Sequence, residues 1–332
     1  MIVDSCLNGR TREQPALKYL EALGVGPELV ELVVATHWHA DHIRGLTKVV
    51  QACVNARFVM TEAYTFEELL VAADQWNAVS DTEFNAFREL HGVMEVLKTR
   101  KLGGYAIPDV ETASAGKRLF PGGHGVEVLA LSPSPAETQR ARESLATRLV
   151  PSVDGIVRGI SPPAKNNASI AMWVEVGDAT FVLGSDLEEL ADPGRGWNGA
   201  ITRLGVVRKL APIVKVPHHG SSTGHSAKMW TEIVASDALA AVTPFTRTAE
   251  PLPTPEDISR IKSLSGKMYL TAAPKLHPPV KQNDPLTSRM KQSTRTLHEI
   301  EALPGRVTLR GPLAITSKSQ ISVQLVNPAR VA

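Results

Sequence analysis

The stretch VVATHWHADHIRGL, residues 33–46, limits what this chain can fold into more than any other. An apolar run of strand type ends at Thr36. Three histidines and an aspartate then fall within six positions, as His37, His39, Asp41 and His42, and a segment of helical type follows. A strand running into a helix places those four side chains on the turn between them. His37 and His39, at i and i+2 off the strand end, point the same way, while Asp41 and His42 come after the chain has turned and approach from another side. That suits two adjacent metals, with two imidazoles for one and a carboxylate plus an imidazole for the next. Zn²⁺ is the expected ion, with Mn²⁺ or Fe as alternatives. A lone histidine here would read as part of an exposed turn. Four specified residues at fixed offsets arise by accident in well under about one chain in a hundred, so the pattern predicts a metal site.

Composition narrows the alternatives. At 332 residues the chain is long enough for one large domain or two ordinary ones. A formal charge of +2 is close to neutral and gives no compositional argument for nucleic acid. The two cysteines, Cys6 and Cys53, make no disulfide framework and fit a reducing cytosol. No apolar run is long enough to span a bilayer, and MIVDSCLNGR has no signal-peptide pattern. The expectation is a cytoplasmic protein with no membrane partner.

Short strands and helices alternate along the chain, which predicts an α/β fold. ALKYLEALG has helical spacing and closes on Gly24, and ELVVATH, IRGLTKVVQACV and ARFVM read as strand, helix and strand. Residues 62–100 look helical for most of their length, and 136–149 read as an exposed helix. In ASIAMWVEVGDATFVLGSD, two β-rich runs flank Gly177-Asp178, a hairpin turn pair, and the second run delivers Asp186 at a strand end. APIVKVPHHGSS repeats the pattern with His218 and His219. A strand, a helix around PEDISRIKSL and a further strand follow. Residues of about 274–302 form a polar, proline-containing excursion, and the tail is strand-like.

THWHADHIRGL matches the H-x-H-x-D-H signature and resembles the metallo-β-lactamase superfamily. The resemblance implies a four-layer αββα sandwich with a dinuclear metal site at the edge of its two sheets. It implies a single domain over 1–332, carrying a helical insertion at about 62–118 that would overhang the site as a lid or partner surface. NNASIAMWVEVGDATFVLGSDLEE, IVKVPHHGSSTGHS and PTPEDISRIKSLSGKMYLTAA resemble, more narrowly, the metallo-hydrolase domain of DNA-internalisation competence proteins, here without their membrane channel. Carried over residue by residue, His37 and His39 hold metal 1. Asp41, His42 and His218 hold metal 2, and Asp186 bridges the two. His219 stands behind as a proton carrier, although the sequence alone lets His218 and His219 exchange roles. Asp4 orients a ligand histidine, Asn166 and Asn167 form an Asn-rich turn beside the site, and Ser221 is a turn residue next to a ligand.

The chain departs from the family pattern twice. The family's further metal-1 histidine is missing from LALSPSPAE, and His91 and His124 lie elsewhere, so metal 1 is expected to be weakly held and completed by water or an amide oxygen. MIVDS resembles the second strand of the family's opening hairpin, so the fold is expected to lack its first N-terminal strand or strands, leaving a sheet edge uncovered.

The implied activity is a metal-dependent hydrolase using a metal-activated water, with Asp41 or His219 moving the proton. The competence-protein likeness favours a phosphodiesterase or nuclease acting on DNA, RNA or a nucleotide. Arg203, Arg208, Lys209 and Lys215, and the lysines and arginines of the polar excursion, are candidate phosphate contacts. Trp38 reads slightly better as core than as a base-stacking platform. The alternatives are a small-ester, thioester or lactone hydrolase, and a non-catalytic metal-binding subunit.

Overall fold

The computed structural model describes residues 1–8, 11–63, 86–102, 110–120, 125–146, 166–205, 207, 209–246, 250–272, 305–312, 320–326 and 328–332. Apolar alternation builds its layers. In β2 (Leu32–Ala35), Leu32 and Val34 face one way and Val33 and Ala35 the other, and all four are buried. β2 pairs in parallel with β1 (Ile2–Val3) on one side and β3 (Arg57–Thr61) on the other, and β3 pairs in parallel with β4 (Glu111–Ala113). β1 is thus an edge of this four-stranded sheet.

The larger sheet begins antiparallel, with β5 (Arg118–Phe120), β6 (Val126–Ala130), β7 (Met172–Val176) and β8 (Ala179–Leu183) as successive neighbours. The β7–β8 hairpin turns at Gly177-Asp178, with Gly177 at φ +59°. From β8 the sheet continues in parallel through β9 (Ala211–Lys215), β10 (Val234–Val242) and β11 (Lys267–Leu270). β12 (Arg306–Arg310) and β13 (Ser322–Val326) form a separate hairpin, and β14 (Arg330–Val331) pairs antiparallel with β11.

Leu32, Val34, Val59 and Ala113 of the small sheet pack against Leu119, Val128, Met172 and Val174 of the large one. Among the described residues, the small sheet covers the β5–β8 part of that inner face. Over the β9–β11 part, Ile213, Leu239 and Tyr269 are covered instead by Val307, Leu309, Val323 and Leu325 of the β12–β13 hairpin.

Helices complete the outer layers. α1 (Pro15–Ala22) starts with a proline in its first turn and a Gln14 side chain accepting the Ala16 N–H. α2 (Ala40–Ile43) and α3 (Leu46–Ala52) are separated at Arg44 and Gly45, so the helix expected from residue 42 is two short ones. Gly45 sits at φ +83°, and a Cβ there would lie 2.5 Å from Leu7 Cδ2. α3 and α4 (Ala86–Leu102) cover the small sheet through Val49, Val50, Leu90, Val93 and Met94, against Val33, Phe58 and Met60. α5 (Pro135–Ala146) buries Ala141 in the same layer. α6 (Gly196–Leu204) and α7 (Pro255–Leu264) cover the large sheet through Trp197, Ile201 and Ile261, against Trp173, Val182 and Val242. The layer order is αββα.

Two expectations change. The described residues of 62–118 are not one helical insertion: β4 belongs to the small sheet, and α4 is a core helix of the outer layer rather than an overhanging lid, because Leu90, Val93 and Met94 give it an apolar face to bury. Residues 64–85 and 103–109 lie outside the described residues, as does the polar excursion 274–302. The helix over 136–149 is not wholly exposed, since Glu137, Thr138 and Ala141 are buried. Among the described residues no helix is long and apolar enough to cross a membrane.

Candidate metal centre

The C-terminal ends of β2, β8 and β9 meet at one edge of the sandwich, where ligand sites form in α/β folds. The Ile170 N–H donates to Thr36 O at 3.1 Å, and Thr61 Oγ1 to Ala168 O at 2.7 Å, which ties the two sheets together there.

Asp4, just past β1, organises the first motif. Its Oδ1 accepts the Thr36 N–H at 2.7 Å, and its Oδ2 accepts the Thr36 hydroxyl at 2.8 Å and His42 Nδ1–H at 2.7 Å. With its proton given to Asp4, Thr36 Oγ1 can only accept from His37 Nδ1, 3.1 Å away. One carboxylate therefore sets the tautomer of two histidines, leaving the Nε2 lone pairs of His37 and His42 aimed into the site. On the far side, His219 donates Nδ1–H to Thr243 O at 2.9 Å and stacks on Phe245, which leaves its Nε2 lone pair pointing inward as well.

Those lone pairs converge on carboxylates. Asp186, at the end of β8, places Oδ1 3.3 Å from His42 Nε2 and Oδ2 3.6 Å from both His37 Nε2 and His219 Nε2. Asp41 Oδ2 is 3.1 Å from His219 Nε2 and 3.5 Å from His42 Nε2, and His39 Nδ1 is 3.0 Å from His37 Nε2. The donor atoms form two sets, Asp41, His42, Asp186 and His219, and His37, His39 and Asp186, each gathered within 4.8 Å. Neutral imidazole lone pairs facing carboxylates repel unless a proton, as on His42 in the metal-free protein, or a metal cation lies between them. His42 Nε2 is buried with no hydrogen-bond partner. The residues fit divalent cations, and Asp186 is common to both sets.

Charge in the cluster follows the same logic. Burial works against the charged form of His42, yet Asp4 and Asp186 hold its pKa well above 6.5. Burial, reinforced by the His42 charge, pushes His37 well down, and burial also lowers His39. Desolvation opposes ionisation of the buried Asp186 and, in part, of the more accessible Asp41, but the neighbouring histidines hold both below the usual carboxylate range. In the metal-free protein, His42 contributes stability that is complete below pH 6.5 and is lost as pH rises through its folded value. His37 and His39 contribute stability present above 6.5 and lost as pH falls, and the two aspartates lose theirs below 3.8. In EDTA, the melting temperature is expected to peak near the histidine reference value of about 6.5 and to decline on both sides. Asp4→Asn should flatten the alkaline decline, as a pH series of thermal melts will read.

The second histidine motif places its two histidines the other way round from the sequence expectation. His219, not His218, joins Asp41, His42 and Asp186. The reason is the backbone: His218 and His219 both have left-handed φ, 45° and 55°, so the alternation of a strand does not carry through them. The His218 ring is held aside, with Nδ1 2.8 Å from Thr223 Oγ1 and Nε2 3.1 Å from Asn166 Nδ2. Glu188 Oε1 accepts from Asn166 Nδ2 at 3.1 Å and from Thr223 Oγ1 at 3.3 Å, which closes this network. Glu188 was not singled out in the sequence; its signal was its place two residues after Asp186. Asn166 Oδ1 is buried without a partner. The Asn167 side chain lies outside the described residues. Ser221 Oγ accepts the Thr223 N–H at 3.2 Å, a turn contact.

Other expected residues sit away from the cluster. His91 lies on α4 and belongs to neither donor set; His124 is outside the described residues. Trp38 packs against the α3–α4 layer. Lys209 pairs with Asp178 at 2.7 Å at the β7–β8 turn, the sheet edge opposite Asp186, and Arg203 Nη1 donates to Gly194 O and Gly199 O. These two bases do not line the site.

No curated protein matches the sequence. Among solved structures, the Rm3 metallo-beta-lactamase is similar at 14% identity with a TM-score of 0.29, over 64% of this chain and 65% of that one. The chain thus spans just under two thirds of that structure's length. The family model for the metallo-beta-lactamase superfamily matches residues 1–242. That span runs from before Asp4 to the end of β10 and contains every side chain of both donor sets, and on it the chain belongs to the metallo-beta-lactamase superfamily.

Proposed function

We propose that this chain is a metal-dependent hydrolase of phosphodiesters, with DNA, RNA or a nucleotide as substrate. The observation that carries the hydrolase reading is Asp186, shared by two sets of inward-facing donors. His37, His39 and Asp186 would hold one ion, and Asp41, His42, Asp186 and His219 the other. Among the described residues the first set has three donors, and water or an amide oxygen would complete it. Zn²⁺ is the first choice for imidazole and carboxylate donors, with Mn²⁺ or Fe next. When bound, such cations supply positive charge that polarises the bond to be cleaved and makes a water nucleophilic near neutral pH.

The chain's own residues divide the remaining work. Asp4 and Thr243 fix the tautomers of His42 and His219 and keep their rings aimed. Asp41 has 31% of its side chain exposed against 4% for Asp186, so it is the carboxylate placed to orient an entering water and take its proton. The His218–Asn166–Glu188 network beside the cluster offers polar contacts for substrate. The phosphodiester itself rests on the motif likeness to competence proteins. A small ester, thioester or lactone is the second reading, favoured by Arg203 and Lys209 lying away from the cluster. Against it, Lys215 sits close enough to Asp186, Asp4 and Asp41 to feel their charge.

Metal-stripped protein reloaded with Zn²⁺ or Mn²⁺ is expected to hydrolyse bis(p-nitrophenyl) phosphate. Asp41→Ala should lower the rate by roughly 100-fold or more, the scale of a lost general base. Turnover of thioesters or lactones but not of the phosphodiester would overturn the substrate, and failure to bind metal would overturn the hydrolase.

A further inference from the structure

The turn that carries His219 holds three successive residues in the left-handed region, His218 at φ 45°, His219 at φ 55° and Gly220 at φ 84°. Only glycine adopts that region freely, so two neighbouring histidines persist there only if their surroundings hold them. The turn's own bonds, Gly220 N–H to Pro217 O and Ser221 N–H to His218 O, close it locally but anchor it to nothing. At its start, the His218 N–H donates to Ser185 O at 2.9 Å, beside Asp186.

Its far end is gripped from α7. Arg260 donates Nη2–H to Gly220 O at 2.7 Å and Nη1–H to Asp257 Oδ1 at 2.7 Å. Asp257 is itself locked into the helix cap: its Oδ2 accepts the Thr254 N–H at 3.0 Å, and its N–H donates to Thr254 Oγ1 at 3.1 Å. The guanidinium is therefore held on one side by a buried, doubly bonded carboxylate and spends its other arm on the turn. Gly220 is seated with no room to shift, since a Cβ there would lie 3.0 Å from Ile261 Cδ1 and 3.3 Å from Pro253 Cβ.

We propose that Arg260 is a positioning residue for the second donor set: it pins the Gly220 carbonyl so that the turn stays left-handed and presents His219 Nε2 to Asp41 and Asp186. Without that bond the turn relaxes toward extended backbone, which turns the two histidine rings and withdraws Nε2 from the cluster. The inference rests on the proposal that these residues hold a divalent cation.

The test is zinc titration, by calorimetry and by metal content after dialysis, of wild type, Arg260→Gln, Arg260→Lys and Lys262→Gln. Lys262 is exposed on the same helix and serves as the control. Asp41→Ala identifies which zinc equivalent belongs to the second set. Arg260→Gln should bind that equivalent about 10- to 100-fold more weakly, the usual effect of losing a residue that orients a ligand, and keep the other unchanged. Arg260→Lys should fall between, and Lys262→Gln should match wild type. Both equivalents bound by Arg260→Gln with wild-type affinity, even at a lower melting temperature, would overturn the inference. Wild type binding no zinc would overturn instead the metal reading beneath it. If Arg260→Gln does not fold, Arg260→Lys decides the same comparison.

Discussion

Asp186→Asn is expected to strip the protein of both metal ions at once, and with them all measurable hydrolysis. Asp186 is the residue the two donor sets share, and its two oxygens reach three imidazole nitrogens at 3.3–3.6 Å. Asparagine preserves the shape but removes the negative charge that both donor sets share. It also replaces one acceptor oxygen with an N–H₂ group that cannot ligate. The loss should exceed the about 10- to 100-fold that a missing supporting residue costs in affinity, because a ligand of both ions is gone. Turnover should fall by more than about 1,000-fold, beyond the cost of one lost charge-stabilising donor. The physical readout is independent of substrate. A folded protein gains about 4 kcal/mol when free ligand exceeds its dissociation constant 1,000-fold, so wild type should melt distinctly higher with metal than in EDTA. In Asp186→Asn that difference should vanish. Retention of one equivalent at wild-type affinity would show that Asp186 serves one ion only.

How far this site could be read in the sequence depended on whether backbone periodicity survives at each residue. It survives through β2, where Leu32 and Val34 alternate with Val33 and Ala35. The direction of His37 and His39 off that strand was therefore legible, and so was Asp186 at the end of a hairpin whose turn, Gly177-Asp178, announced itself. The layers were legible only through family resemblance. Nothing in the local pattern indicates that the β12–β13 hairpin covers Ile213, Leu239 and Tyr269. Nor does it distinguish α4, an outer-layer helix with a buried apolar face, from an insertion. The supporting contacts were hidden because they come from distant chain. Thr243, Phe245 and Arg260 meet the histidine turn from residues beyond β10, and Glu188 reads as an ordinary acidic residue until Asn166 and Thr223 are folded against it.

His219→Ala is expected to abolish binding of the zinc equivalent that Asp41→Ala also loses, while His218→Ala should leave both equivalents in place. Sequence alone left this pair open, and a strand continued through Pro217 would point the two rings to opposite sides. The left-handed backbone at both residues removes that guide, and the hydrogen bonds decide instead. His219 has a carbonyl behind it and two carboxylates in front, the surroundings of an imidazole that ligates through Nε2. His218 has its nitrogens engaged by Thr223 and Asn166, with the Glu188 carboxylate 3.4 Å from Nδ1, and it belongs to neither donor set. Removing it should loosen Asn166 and Glu188, and so alter turnover or KM without changing metal content. The strain supplies an internal control. His218→Gly relieves a left-handed conformation that costs a side-chain-bearing residue roughly 1–2 kcal/mol. It should therefore keep both metals with little loss of stability, whereas His219→Gly relieves the same strain and still loses the ion. If His218→Gly were the variant to lose zinc, the assignment of the two histidines would have to be reversed.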